Sequence, residues 1–133
     1  MRNIHKTLLA EGSTVQLAYT VPIGEEYYGV IFSIDGRSEV TMHYPYRMGQ
    51  SPLLVSGRQT LLNEAYTLDD APGYEIFVMV VSTEALEAAS VLRTARSIAV
   101  KAAGSAVPEA AIKEECAGLF SDCDIKIATV LKN

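Results

Sequence analysis

Few residues in this chain have the type and spacing needed for acid–base catalysis. His5 and His43 are its two histidines, and no nucleophile-elbow pattern accompanies either of them. His43 falls on the polar side of an alternating run, which predicts a solvated strand position rather than a catalytic base. These residues predict that the chain is not an enzyme.

A group of carboxylates raises a second chemistry, the binding of a hard cation. Asp69 and Asp70 are adjacent, and Glu64 and Glu75 lie nearby in the sequence. An Asx-type turn that ends in Pro72-Gly73 explains the acidic pair more simply. We therefore predict no metal site. We also predict no cofactor, because the glycines have strand-and-turn spacing rather than the spacing of a phosphate loop.

The two cysteines, Cys116 and Cys123, do not form a zinc-binding pattern, because they have no histidine neighbours at ligand spacing. A disulfide across the short intervening segment would form in an oxidising compartment. Two unpaired thiols are the simpler interpretation, and the sequence leaves both open.

Tyrosine is the residue type that most suggests recognition. Most of the seven tyrosines fall at predicted strand ends or in adjoining loops. The candidate binding residues are Tyr28, Tyr44, Tyr46, Tyr66 and Tyr74. Tyrosine is enriched at interfaces because an apolar ring carries a polar hydroxyl. The alternative is that these rings pack at the rim of the core.

The composition is that of an ordinary globular domain. The chain has 133 residues, of which 49% are hydrophobic and 20% are charged, so residues 1–133 are predicted to form a single domain. A net charge of -5 argues against nucleic acid or an anionic membrane as partner, since both require clustered Lys and Arg. No apolar run reaches the ~18–20 residues of a membrane span, and the first ten residues are too polar for a secretory signal.

Alternation and turn residues mark the strands that would position these side chains. Residues 14–20 alternate, and residues 28–45 predict a β-hairpin that turns at Asp35-Gly36. Val30-Ile31-Phe32 and residues 74–82 are apolar on both sides, which predicts two central strands. A further strand is expected near residues 59–62, and residues 124–132 predict a closing strand whose lysines protect a sheet edge.

The register of the hairpin stays open. A two-residue loop would pair Ile31 with Val40, and a three-residue loop would pair Phe32 with Val40. In both cases simple alternation predicts that Tyr44 lies on the face opposite to His43.

Two helices are expected late in the chain. Ser82 or Thr83 would cap a long amphipathic helix that stops at Gly104. Pro108 would begin a shorter helix that runs to about Ala117, with Gly118 as its C-terminal stop. The order of elements predicts an α+β fold. It has a mostly antiparallel sheet of about five to six strands, with one long and one short helix near the C-terminus.

These segments resemble a bacterial domain of unknown function. The motifs that match are Gly12-x-x-Val-Gln-Leu-Ala-Tyr19, Tyr28-Gly-Val-Ile-Phe-Ser-Ile-Asp-Gly36, Val40-Thr-Met-His-Tyr-Pro45, Tyr66-Thr-Leu-Asp-Asp-Ala-Pro-Gly-Tyr-Glu-Ile-Phe77 and Val130-Leu-Lys132. In that family the domain is the C-terminal module of membrane-anchored anti-sigma-factor-like proteins, behind a zinc-binding head and a membrane helix. The resemblance covers most of residues 8–96 and the final strand. The sequence has neither that zinc-ligand cluster nor that helix, so sigma-factor binding is not assigned to it, and residues 102–123 do not match the family.

The resemblance implies a non-catalytic sensory or protein-interaction domain of an envelope-associated regulator. It would be an extracytoplasmic fragment of a longer membrane-anchored protein; otherwise a cytoplasmic location is expected. The alternative is a small-molecule-binding domain whose pocket lies between sheet and helix, lined by tyrosines and loop arginines. The expected partner is a protein or a small ligand, with no nucleic acid and no membrane contact, and a homo-oligomer is open. An enzyme that uses His43, Asp69 and Asp70 is the least favoured hypothesis.

Overall fold

The computed structural model describes residues 4–10, 12–45, 49 and 51–132, with the backbone alone for 4–9 and for 63 and 64. Seven strands and two helices lie in this part of the chain, in the α+β arrangement that the sequence predicts. In chain order they are β1 (Ile4–Leu9), β2 (Thr14–Tyr19), β3 (Tyr28–Asp35), β4 (Val40–Tyr44), β5 (Thr60–Thr67), β6 (Tyr74–Ser82), α1 (Ala88–Ala102), α2 (Pro108–Leu119) and β7 (Asp124–Lys132).

A five-stranded sheet forms the centre of the molecule. Its strand order is β1-β7-β6-β3-β4, in which β1 runs parallel to β7 and all other neighbours are antiparallel. β3 and β6 are interior strands that are buried along almost their whole length, as their continuous apolar runs predict. The remaining described strands, β2 and β5, form a separate two-stranded sheet, so the strands are divided between two layers.

The β2–β5 sheet covers one face of the five-stranded sheet. β2 alternates between exposed and buried positions, and its Leu17 and Tyr19 pack against the central strands. Beneath this layer one apolar cluster forms around Tyr19, Ile31 and Met79, and another forms around Phe77 and Val130.

The two helices cover the opposite face. α1 buries Val91, Ala95 and Ile98 in a core that includes Phe32 and Val78 of the central strands. The apolar spacing in α1 is helical, so these side chains lie on one stripe that faces the sheet. The described part of the molecule thus has three layers: helices, a five-stranded sheet and a two-stranded sheet. Neither described helix has the length and apolarity that a membrane-crossing helix requires.

Two of the predicted helix boundaries are wrong. Ser82 ends β6, and its Oγ accepts a hydrogen bond from Glu84 N at 3.0 Å within a turn, so α1 begins only after Glu87. Gly118 lies inside α2, which continues through Leu119. Gly104 does follow the end of α1, with a φ of 80°.

The β3–β4 turn lies one residue later than predicted. Asp35 N donates to Glu39 O at 3.0 Å, and Ser38 N donates to Asp35 O at 2.9 Å, which leaves Gly36-Arg37-Ser38 as the loop. Asp35 determines this turn, because its buried Oδ1 accepts hydrogen bonds from the backbone N–H groups of Arg37 and Glu39.

Both predicted hairpin registers are therefore wrong. Phe32 pairs with Met42, Ile31 pairs with Tyr44, and His43 is left without a partner in a β-bulge. His43 and Tyr44 consequently both contact residues beneath the β2–β5 sheet. The bulge thus overturns the prediction that Tyr44 lies opposite His43 and the prediction that His43 is solvated.

β7 is an interior strand, which contradicts the prediction that its lysines protect a sheet edge. The backbone of β1 pairs with it from Ile127 to Lys132, and β6 pairs with its other side. Lys126 and Lys132 instead make contacts on the side of the β2–β5 layer. A parallel pairing between the first and last strands is decided by tertiary packing and has no local turn signal.

Candidate functional site

Three of the four described candidate tyrosines pack against the core, and they do so on opposite faces of the five-stranded sheet. Tyr44 and Tyr66 contact the clusters beneath the β2–β5 sheet, whereas Tyr74 packs against the helix-side core. Tyr28 begins β3, and Tyr46 lies outside the described residues. Burial raises the pKa of Tyr44, Tyr66 and Tyr74. Their role in binding stays a prediction.

His43 lies in a buried polar cluster beneath the β2–β5 layer. Its ring packs edge-on against Tyr66, with centroids 4.5 Å apart, and against Phe77 at 5.3 Å. Its Nε2 lies 2.8 Å from Ser33 Oγ. Burial lowers the pKa of the imidazole to about 4, so the ring is neutral near pH 7.

Ser33 connects this histidine to a buried glutamate. Its Oγ donates to Glu75 Oε2 at 2.6 Å, so with Glu75 ionised the His43 Nε2–H is the donor to Oγ. In a catalytic triad the histidine lies between serine and acid, whereas here the serine is in the middle. Ser33 is also 0% exposed, so a substrate does not reach its Oγ in this conformation. The geometry is that of a structural hydrogen-bond network.

Lys132 supplies the positive charge of the polar cluster. Its side chain is 2% exposed, and its Nζ lies 3.0 Å from Asp69 Oδ1 and 3.1 Å from Glu75 Oε1. The second contact is ionic but lacks hydrogen-bond geometry. Burial raises the pKa of Glu75, and the hydrogen bond from Ser33 and the nearby Lys132 ammonium oppose this rise without cancelling it. Burial lowers the pKa of Lys132, but its contacts with Asp69 and Glu75 raise it on balance.

Three of the carboxylates in the described residues approach the spacing of metal ligands. Oxygens of Asp35, Asp69 and Glu75 lie within 4.8 Å of one another. Lys132 already contacts Asp69 and Glu75, and Asp35 accepts backbone N–H bonds, so the group is explained by its protein partners. Asp70 does not belong to this group of carboxylates. It forms a surface ion pair with Arg37, in which Arg37 Nη1 lies 2.8 Å from Asp70 Oδ1.

A cleft between the two sheets is the second feature. Its volume is about 470 Å³, and Ile31, Phe77, Met79 and Ala128 line it from the five-stranded sheet. The wall on the other side is formed mainly by residues 17–19 of β2 and by Thr20, which follows this strand. This cleft lies at a different place from the pocket expected between sheet and helix, which stays a prediction. Among the described residues, the tyrosine that lines this cleft is Tyr19, and neither the described loop arginines nor the described candidate tyrosines line it.

The two ends of this cleft differ in polarity. At one end Leu17, Phe77 and Ala128 pack together in an apolar cluster. At the other end the Lys126 ammonium donates to the backbone carbonyl of Thr20. Gln59 also lines this end, because the next residue along the chain pairs with Tyr19 in the β2–β5 sheet. The inter-sheet cleft is therefore amphiphilic.

The two cysteines lie apart from the inter-sheet cleft, and both are free. Cys116 is buried in the helix-side core, where burial raises its pKa to about 12. Cys123 is half-buried and lines a second, smaller cavity of about 270 Å³ together with Glu25, Asp122 and Asp124. Of the two alternatives that the sequence leaves open, the structure shows unpaired thiols.

Comparison with protein-family models, with curated proteins and with solved structures found no match to the chain. The resemblance to anti-sigma-factor-like proteins stays a prediction, and the site is interpreted from its geometry.

Several residues of these two features were not predicted as site residues. Ser33 and Glu75 did carry a signal, because a polar or charged residue inside a strand that is apolar on both faces must find a buried partner. Lys126 and Lys132 carried a weaker signal, because their spacing along β7 shows only that the two side chains lie on the same face of the strand. What lies on that face is decided by tertiary packing.

Proposed function

We propose that this chain is a non-catalytic sensory domain that binds a small, mostly apolar ligand in the inter-sheet cleft. The observation that supports this proposal is the size and the mostly apolar lining of the cleft. Its volume of about 470 Å³ falls in the range of about 300–1,000 Å³ typical of small-molecule sites. Such sites combine apolar walls with a few polar groups that orient the ligand, and this cleft has both.

The position of the cleft favours a sensory role. A two-stranded sheet has little stability of its own and depends on the layer beneath it. A ligand between β2 and the β6–β7 strands would contact both layers and tie them together. In an envelope-associated regulator, the context that the sequence resemblance suggests, ligand occupancy would then change how firmly the β2–β5 sheet is held.

The acid–base groups support a binding role rather than a catalytic one. His43 and Glu75 are each hydrogen-bonded to Ser33, and none of the three is among the residues that line the cleft. General acid–base catalysis requires such groups within hydrogen-bond reach of the bound substrate. A ligand in the cleft would meet apolar walls, one ammonium group and a few neutral polar groups.

A protein-interaction role is the second candidate. The observation that favours it is the exposure of large aliphatic side chains, with Ile23 82% and Leu53 51% exposed in the segments beside the β2–β5 sheet. Scattered exposed aliphatic residues are nevertheless normal on protein surfaces. The cleft is the more specific feature.

A neutral fluorescent probe tests the proposed function without involving charge. Titration with N-phenylnaphthylamine should give a saturable fluorescence increase at one site per chain. Ala128→Phe, which places a ring in the cleft, should weaken binding at least about tenfold. Ala65→Phe is the matched control, because Ala65 is exposed on β5 and does not line the cleft.

Equal binding by the wild type and Ala128→Phe, or no saturable binding by the folded wild type, would rule out the cleft as the site. Should Ala128→Phe fail to fold, Ala128→Leu provides a smaller obstruction for the same comparison. Circular dichroism of each variant checks that the fold is retained.

A further inference from the structure

The charge distribution in the inter-sheet cleft identifies the kind of ligand. Lys126 is the single charged side chain among the described residues that line the cleft. Its ammonium donates to the Thr20 carbonyl, a neutral acceptor. No carboxylate in the described residues lies within ion-pair distance of it. Lys126 therefore holds a partly buried positive charge at the polar end of the cleft, with no ion-pair partner among the described residues, and the charge of Asp124 acts on it from beyond ion-pair distance.

From this geometry, and resting on the proposed function, we infer that the ligand is an amphiphilic carboxylate. Its carboxylate would bind the Lys126 ammonium, and its apolar chain would lie between the two sheets toward Leu17 and Phe77. The chemistry fits because a charge-assisted hydrogen bond to an ammonium is stronger than one between neutral groups. Thr20 and Gln59 add further polar groups at the same end.

The dimensions limit the length of the apolar chain. Residues 17–20, which run from the end of β2 into the segment after it, form one wall of the cleft, and at about 3.3 Å per residue they span roughly 10 Å. A medium-length alkyl chain fits this span, with its far end against Ala128 and Phe77. Burial lowers the pKa of Lys126. An anion beside this ammonium would oppose that effect, because an opposite charge favours the charged form.

Head-group substitution on one alkyl chain tests this inference. Calorimetric titrations below the micellar range would compare decanoate, decanol and decylamine. Wild-type protein should bind decanoate at least about tenfold more tightly than decanol, and decylamine most weakly. Lys126→Met keeps the aliphatic stem but removes the charge, so it should bind decanoate and decanol equally.

Two further variants make the outcome specific. Lys126→Arg, which keeps the charge, should retain the preference for decanoate. Lys101→Met, at an exposed position in the last turn of α1, should behave as the wild type. Equal affinity of the wild type for decanoate and decanol would overturn the inference while leaving the proposed function intact. Preferential binding of decylamine would overturn it as well. Failure of all three compounds and of the neutral probe would remove the proposed function itself.

Discussion

At the scale of single residues, the structure is distinguished by a polar cluster buried beneath the β2–β5 sheet. His43, Ser33, Glu75, Lys132 and Asp69 form a continuous series of contacts from β4 to β7 and the adjoining loop. Burying these groups is costly unless each finds a partner, so the members depend on one another. The series is therefore expected to respond strongly when one member is removed.

Removal of the Lys132 charge tests this dependence. Lys132→Met should lower the free energy of unfolding by about 3–5 kcal/mol, because it leaves the Glu75 carboxylate buried without a counter-charge. Adding Glu75→Gln in the same chain should recover part of the loss, with a coupling of about 1–3 kcal/mol. Urea denaturation of the two single variants and the double variant measures this coupling. Additive effects within about 0.5 kcal/mol would show that the two side chains are not coupled.

His43 gives the polar cluster a pH dependence of known sign. Its pKa is lowered from 6.5 in the unfolded chain to about 4 in the folded one, so the unfolded state binds more protons between these values. Stability should therefore fall as the pH falls from about 6.5 to about 4. The full shift would correspond to about 3 kcal/mol, and the incomplete burial of His43 reduces the expected loss to about 1–2 kcal/mol.

Denaturation of wild type and His43→Gln across this pH range isolates the histidine. The variant should be less stable than the wild type near pH 7. The difference in free energy of unfolding between the two proteins should narrow toward pH 4, because the Gln side chain does not titrate. Tyr66→Phe keeps the imidazole and should follow the wild-type slope. Parallel profiles for wild type and His43→Gln would contradict the assignment of the slope to His43.

At the scale of elements, the β3–β4 turn packs tightly against the loop that precedes β6. Gly36 lies so close to this loop that a Cβ atom added to it would be 1.6 Å from the Pro72 carbonyl oxygen. Arg37 pairs with Asp70 in the same loop. Gly36 is thus required for the close packing of the two loops, whereas Asp35 shapes the turn through its hydrogen bonds.

A comparison of two glycines tests this close approach. Gly36→Ala should lower the free energy of unfolding by at least about 2 kcal/mol, because the backbone of one loop must move. Gly118→Ala is the control, since Gly118 lies within α2 with nothing near its added Cβ. It should lose no stability and gain up to about 1 kcal/mol from better helix propensity. Equal denaturation midpoints for both variants would show that the two loops are not in tight contact.

At the scale of the whole molecule, the three layers differ in how strongly they are held. β6 and β3 have strands on both sides and lie between covered faces, whereas β2 pairs with β5 alone among the described strands. The β2–β5 layer is also separated from β6 and β7 by the inter-sheet cleft. This layer should open without unfolding of the central sheet.

Amide hydrogen exchange tests this order of stability. The amides of β6 should exchange only on global unfolding, and those of β2 at least about tenfold faster through local opening. Addition of decanoate should slow exchange in β2 selectively, since a ligand that bridges the layers opposes their separation. Uniform protection of β2 and β6 without ligand would contradict the layered picture.

The sequence by itself determined the α+β class, the two central strands and the presence of two helices late in the chain. These features depend on local alternation, apolar runs and helical periodicity, which residues 74–82 and Ala88–Ala102 display clearly. The end of α1 near Gly104 was predictable for the same reason, because the positive φ that glycine adopts after a helix is a local property of the chain.

The tertiary structure alone decided the hairpin register, the position of β7 and both parts of the candidate site. A buried Asp35 side chain moved the turn, and a bulge at His43 brought Tyr44 to the same face. Parallel pairing with β1 made β7 an interior strand, so Lys126 and Lys132 meet the cleft and the polar cluster. The physical reason is that these outcomes depend on contacts between distant segments, whereas the alternation of residues records only which side chains share a face.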